Sequence, residues 1–259
     1  MTDITRLGRW FVEAGAHASR RLAVGGWLII AAAVAVPGSS ASGAEDTTEC
    51  WRNFFRTQGI DQPLGEIATF SFLGHRLHVP GAYLWRGLPR PEMTVQGAVW
   101  LMAWGPQLAP VTATQADEWR QARPTRVVRM TMFGHPNFLH GQALLDVMTR
   151  DDRYESRDGE RDAHGFTVLR PRRADSYHWG EIHISPHGPD EMFHCSLDGQ
   201  VRNPGCTAKR WIGGPLRVEM DFNKSLLLAE YPAISASSAG FFRCALGPHG
   251  VPGQVWPAR

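Results

Sequence analysis

The chain has 259 residues, ten tryptophans and a 43% hydrophobic fraction, which is ample for a substantial buried core. Its formal net charge is +2, and beyond residue 44 it carries 23 basic against 23 acidic residues. A nucleic-acid binder is expected to carry a basic surplus, and neither that surplus nor a recognised motif is present, so no nucleic-acid partner is expected.

The N-terminus reads as an address. Leu22 to Val36 is apolar without a break, follows Arg20-Arg21 directly, and ends at Pro37-Gly38 before the small residues Ser39 to Ala44. A charged flank, an apolar stretch and a small-residue tail make a secretory signal, cut after Ala44. The competing reading is a retained inner-membrane anchor, with Arg20-Arg21 marking its cytoplasmic end. Ser19-Arg20-Arg21 resembles the start of a twin-arginine signal, although Ala23 departs from that pattern. The expected organisation is therefore 1–44 as signal or anchor, and 45–259 as one domain in the periplasm or facing it. All four cysteines follow residue 44. In an exported chain an even number reads as two disulfides before metal ligands.

In chain order, Glu49 to Gln58 has helical spacing, with Trp51, Phe54 and Phe55 facing inward and Gly59 as the stop. Period-two alternation then takes over, with Phe70 and Phe72 before a Gly74-His75 turn and Leu77, Val79 and Tyr83 after it, which is a hairpin pattern. Leu88-Pro89-Arg90-Pro91 is a stiff loop. Gly97 to Trp104 is continuously apolar, as in a strand buried on both faces. A helical turn is expected around Ala116 to Gln121, a strand over Thr125 to Phe133, and a helix capped by Asn137 and running to Arg150, with Leu144, Leu145, Val147 and Met148 inward. Arg150 to His164 interleaves four arginines with six acids and is expected to be a solvated loop. Strand character returns at Gly165 to Leu169.

Tyr177 to Phe222 holds the densest histidine and aromatic content and reads as three or four strands. Glu181, His183 and Ser185 alternate with Ile182 and Ile184, and Met192, His194 and Ser196 alternate with Phe193, Cys195 and Leu197. Leu216, Val218, Met220 and Phe222 alternate strictly against Arg217, Glu219 and Asp221. Asn223 opens a helical segment that Pro232 must kink or divide, with Leu227, Tyr231, Ile234, Ser238 and Phe241 on one face. Four cysteines allow three connectivities. The favoured one bridges Cys195 to Cys206 across a turn and Cys50 to Cys244, tying the last helix to the first. The fold class is α+β: a largely antiparallel sheet of about six to nine strands with two or three packed helices, stabilised by disulfides.

No serine sits in a Gly-x-Ser-x-Gly elbow, and no glycine-rich nucleotide loop occurs. No cofactor is expected. One chemical reading is a metal-dependent envelope hydrolase built on Glu181, His183 and His194, with His187 and Glu191 nearby, since two imidazoles and a carboxylate are zinc ligands. The spacing matches no zinc motif. The preferred reading is a non-enzymatic binding protein whose partner, a toxin or an envelope protein, meets the charged 150–164 segment and neighbouring aromatics, namely Arg153, Tyr154, Arg157, Trp179 and Trp211. Membrane contact is expected only through the N-terminal segment. The export segment, the hairpin Gly74-His75-Arg76-Leu77-His78-Val79-Pro80 and the disulfide-bearing C-terminal half ending in a helix together resemble the small envelope proteins that bind and neutralise secreted antibacterial toxins, the type VI immunity class. That resemblance covers residues 45–246 and implies a protein partner and no catalysis.

Overall fold

Why the chain folds around two sheets is clearest from its first hairpin. In the computed structural model, which describes residues 40–85, 94–95, 97–121, 124–134, 139–150, 154–172, 180–197, 199, 201, 203–213 and 216–247, strands β1 (Ile67–Phe72) and β2 (His75–Pro80) pair in register from Ile67↔Pro80 to Phe72↔His75. The two residues between them are Leu73 and Gly74, one position ahead of the expected Gly74-His75 turn, with φ of 51° and 81°, so both central positions are left-handed, as a tight two-residue hairpin requires. Gly74 adopts this freely, whereas Leu73 does so against its steric preference. The two-residue strand β3 (Thr94–Val95) joins β1 in parallel to complete a small sheet, β2-β1-β3.

Helix α1 (Ser40–Gln58) begins earlier than the expected Glu49. It delivers Trp51, Phe54 and Phe55 to the core, where Trp51 packs edge-on against Phe241 at 4.9 Å between ring centroids. Its indole Nε1 donates to His78 O at 2.9 Å, and Tyr83 Oη donates to Leu108 O at 2.8 Å. Both large rings thus bury their apolar bodies with the polar atom satisfied. Cys50 is bridged to Cys244 and Cys195 to Cys206.

The second sheet has nine strands in the order β5-β4-β6-β12-β11-β10-β9-β8-β7. They are β4 (Ala98–Trp104), β5 (Ala109–Pro110), β6 (Val127–Gly134), β7 (Tyr154–Arg161), β8 (Thr167–Pro171), β9 (Glu181–Ile184), β10 (Glu191–Cys195), β11 (Gly205–Gly213) and β12 (Leu216–Asn223), and every neighbouring pair is antiparallel. The inner face carries Leu101, Met130, Met132, Val218, Met220 and Phe193 into one continuous core with α1, the small sheet and α5 (Tyr231–Leu246). Asn223 caps the short helix α4 (Lys224–Leu227) by accepting from Leu226 N–H at 3.1 Å. Pro232 stands in the first turn of α5, where its missing N–H costs nothing, so the expected division falls at its N-terminal side. The result is an α+β protein with a largely antiparallel sheet and two disulfide-bonded cysteine pairs.

Four expectations need correction. The charged 150–164 stretch is no loop over Tyr154–Arg161 but β7, the edge strand of the nine-stranded sheet. Charge is what an edge carries, because its unpaired backbone groups must be kept from recruiting another strand. Helix α3 (Gly141–Met148) starts after His140, while Asn137 lies outside the described residues. Of its expected inward stripe only Leu145 is buried, and Val147 is 40% exposed. Finally β4 is not buried on both faces throughout, since Trp100 is 42% exposed. Residues 1–39 of the expected 1–44 signal or anchor lie outside the described residues, and its last five, Ser40 to Ala44, stand in the first turns of α1; the Leu88-Pro91 loop and residues 248–259 also lie outside the described residues. Among the described residues no helix is long and apolar enough to cross a membrane.

Candidate functional site

The outer face of the nine-stranded sheet is covered unequally. Over β8 to β10, α3 lays Leu145 on Ile182 and Met192, with Tyr154 of β7 completing a satellite cluster. Over β4, β6, β12 and β11 the face stays open. Register stacks its side chains into two cross-strand rows. One runs from Arg129 through Asp221 and Thr207 to His194; the other runs from Trp100 through Thr131 and Glu219 to Lys209.

Each row holds one pair of opposite charges on neighbouring strands, Arg129 with Asp221 and Glu219 with Lys209. Arg129 donates to Asp221 Oδ2 through Nε at 2.9 Å and Nη2 at 2.5 Å, and Thr207 Oγ1 donates to Oδ1 at 2.6 Å. Glu219 is met by Arg217 at 2.9 Å and Lys209 at 3.9 Å. Aromatic rings brace the cations: the Arg129 guanidinium lies 5.9 Å over Trp119 of helix α2 (Ala113–Arg120), and that of Arg217 lies 5.9 Å over Phe133. Two shallow depressions of about 350 and 390 Å³ occupy this face and share Arg129, His194, Thr207 and Asp221 as lining. Trp100 lines the first and Trp119 the second. Side chains held in rings and ion pairs have already given up rotamer freedom, so a partner that uses them loses little more on binding.

His194 forms part of the floor as a neutral group. Its Nε2 accepts the Gly180 N–H at 2.6 Å, which places the remaining proton on Nδ1. Burial first, then the charges of Lys209 and His183, push its pKa below the usual histidine value.

The register also decides the metal reading. His183 is paired with Phe193 and His194 with Ile182, so the two imidazoles project from opposite faces and Glu181, His183 and His194 do not converge. Strand alternation made them appear to approach across a hairpin; being one residue out of phase sends them to opposite sides. Among the described residues no group of three histidines, cysteines or acids is arranged to hold a metal. On the inner face, His183 Nδ1 is 2.8 Å from Asp162 Oδ2 and its ring stacks on Phe193 at 4.3 Å. Glu181 is ringed by Arg170, by Lys224 at 3.3 Å and by His183 Nε2 at 3.7 Å. His187 and Glu191 belong to another place, beside α5.

Of the expected partner-contacting residues, Tyr154 is buried beneath α3 at 7% exposure and has no surface to offer. Trp211 is half-buried and stacks flat on His140 at 4.6 Å. Arg153, Trp179 and the side chain of Arg157 lie outside the described residues. Sequence reading missed Trp100, Arg129, Lys209, Glu219 and Asp221. Part of the signal was present, since Arg217, Glu219 and Asp221 alternate with buried residues along β12, but their cross-strand partners come from segments up to 92 residues away.

No protein-family model matches the sequence, and no curated protein matches it. Two solved structures are similar to this chain. An immunity protein of the Stenotrophomonas maltophilia type IV secretion system superimposes with a TM-score of 0.50 at 12% identity, covering 68% of this chain and 91% of that one. The iron-regulated outer membrane lipoprotein FrpD of Neisseria meningitidis gives 0.49 at 10% identity, covering 71% and 93%.

Proposed function

We propose that this chain is an exported, non-enzymatic binding protein of the bacterial envelope that neutralises a secreted toxin, and that it meets the toxin through the open outer face of the nine-stranded sheet. The carrying observation is Trp100, a large aromatic 42% exposed on the sheet, which lines one depression with Lys209 and with Arg129, itself held by Asp221 and Trp119. Tryptophan and arginine dominate binding hot spots, and a broad shallow face suits a protein surface. Export is supported by the charged, apolar and small-residue sequence of residues 1–44 and by the bonding of all four cysteines in pairs, since disulfides persist in oxidising compartments.

The immunity reading draws on the same outline in the sequence and on a fold shared with one immunity protein. That protein serves a type IV secretion system, whereas the sequence outline resembles the type VI class, so the delivering machine is left to experiment. Trp211 stays in the proposed surface, next to Arg217 across the β11–β12 pair.

The test is capture of a stoichiometric partner from an envelope extract or from a co-expressed candidate toxin. Wild type retains the partner and relieves growth inhibition, while Trp100→Ala and Lys209→Glu each weaken capture. Retention unchanged in both variants would remove the face from the interface; a toxin unaffected by the wild-type chain would sink neutralisation itself.

A further inference from the structure

A second concavity lies on the other side of the sheet. Between α1 and α5 runs a groove of about 850 Å³, within the size range of small-molecule sites, roughly 300–1,000 Å³. Paired helices normally close such a gap by interdigitating large side chains. Here α5 presents Ala236 and Ala239, and the bridge from Cys50 to Cys244 holds the two helices at a fixed separation at one end, with Cα atoms 5.5 Å apart. The small side chains of α5 leave room for the groove, and the bridge fixes the helix ends that border it.

The floor is polar and locked. Arg210, 7% exposed, donates through Nη1 to Ser235 O at 2.9 Å, Ser235 Oγ at 3.2 Å and Ser238 Oγ at 3.0 Å. Its Nη2 lies 3.9 Å from Glu191 Oε2, while Glu191 Oε1 accepts from Tyr231 Oη at 3.1 Å and from Ser235 Oγ. Arg243 and His187 stand at the exposed rim, and Phe54, Ala236 and Ala239 supply an apolar wall. Two guanidinium groups against one carboxylate leave the groove with a positive excess, in a setting where partial burial lengthens the reach of each charge. Apolar walls, a rigid charged floor and a cationic rim match one kind of small molecule.

We propose that this groove binds an amphiphilic carboxylate, its apolar chain along the wall of Phe54, Ala236 and Ala239 and its head beside Arg243 and over Arg210. The site is separate from the outer face and does not depend on toxin neutralisation.

The experiment uses the disulfide-bonded chain and the fluorescent anion 1-anilinonaphthalene-8-sulfonate, which brightens on apolar surfaces. Saturable brightening is expected, reversed by decanoate and not by decyltrimethylammonium, which has the same chain and the opposite charge. Ala236→Trp, at an exposed position of α5, fills the groove and abolishes the signal. Arg243→Glu weakens decanoate binding by about fivefold, the size of one exposed charge contact. Trp100→Ala, on the outer face, leaves it unchanged. Absence of saturable brightening, equal displacement by the cationic chain, or unaltered binding by an Ala236→Trp variant with native circular dichroism would each overturn the proposal.

Discussion

Glu181 shows how one residue's surroundings become a stability term. The contact with His183, followed by the charges of Lys224 and Arg170, holds its carboxyl at about 2 against an ordinary 4.5, although burial acts in the opposite direction. A folded-state value below the unfolded one means that the stabilisation is complete above pH 4.5 and is lost as pH falls towards 2. Its size is about 3 kcal/mol. Chemical denaturation at pH 6 and at pH 2.5 should show Glu181→Gln losing about 3 kcal/mol less than wild type between the two conditions; equal losses would refute the assignment. Lys224→Met, which leaves the buried carboxylate short of a cation, should cost about 3 kcal/mol at pH 7. Gly180 is a steric case: a Cβ there would lie 1.7 Å from Cys195 O, and a backbone atom cannot step aside as a side chain can. Gly180→Ala should therefore cost about 3 kcal/mol and release His194, visible as a rise in its pKa by NMR titration. None of these three roles was legible in the sequence, where Glu181, His183 and His194 looked like one cluster, because only pairing tells which face a strand residue occupies.

At the scale of elements, local chemistry and tertiary context divide the credit. The β1–β2 hairpin, the alternation of β12 and the break at Pro232 were readable because each rests on residues adjacent in sequence. Strand β7 was not, since its charge pattern is that of a loop until a neighbour supplies hydrogen bonds on one side. The disulfides act between elements, and chain entropy ranks them. Closing a span of 194 residues is worth about 5 kcal/mol and one of 11 residues about 3 kcal/mol. Replacing Cys50 and Cys244 by alanine should accordingly cost more in urea unfolding than replacing Cys195 and Cys206. The first pair also joins α1 to α5, so its loss should raise amide exchange in α1 specifically; a uniform rise across the chain would show that α1 holds its place without the bridge.

For the whole molecule, the two faces of one sheet have been given different work. The inner face is spent on the core; the outer face is half covered by α3 and half left as a charged, tryptophan-bearing surface. Trp100→Ala should change unfolding free energy by less than about 0.5 kcal/mol, as for a surface position, while weakening partner binding by about 2 kcal/mol or more. A large loss of stability would instead make Trp100 a packing residue and withdraw it from the interface.

By itself the sequence determined the class of fold and most of the strands, because alternation, turn chemistry and spacing are local properties that survive without coordinates. Tertiary structure alone decided which histidine lies on which face, that the charged segment is an edge, and that Arg129 and Lys209 meet Asp221 and Glu219 in one open surface. The physical reason is register: a sheet assembles its faces from segments distant in the chain, and a shift of one residue exchanges every inward side chain for an outward one.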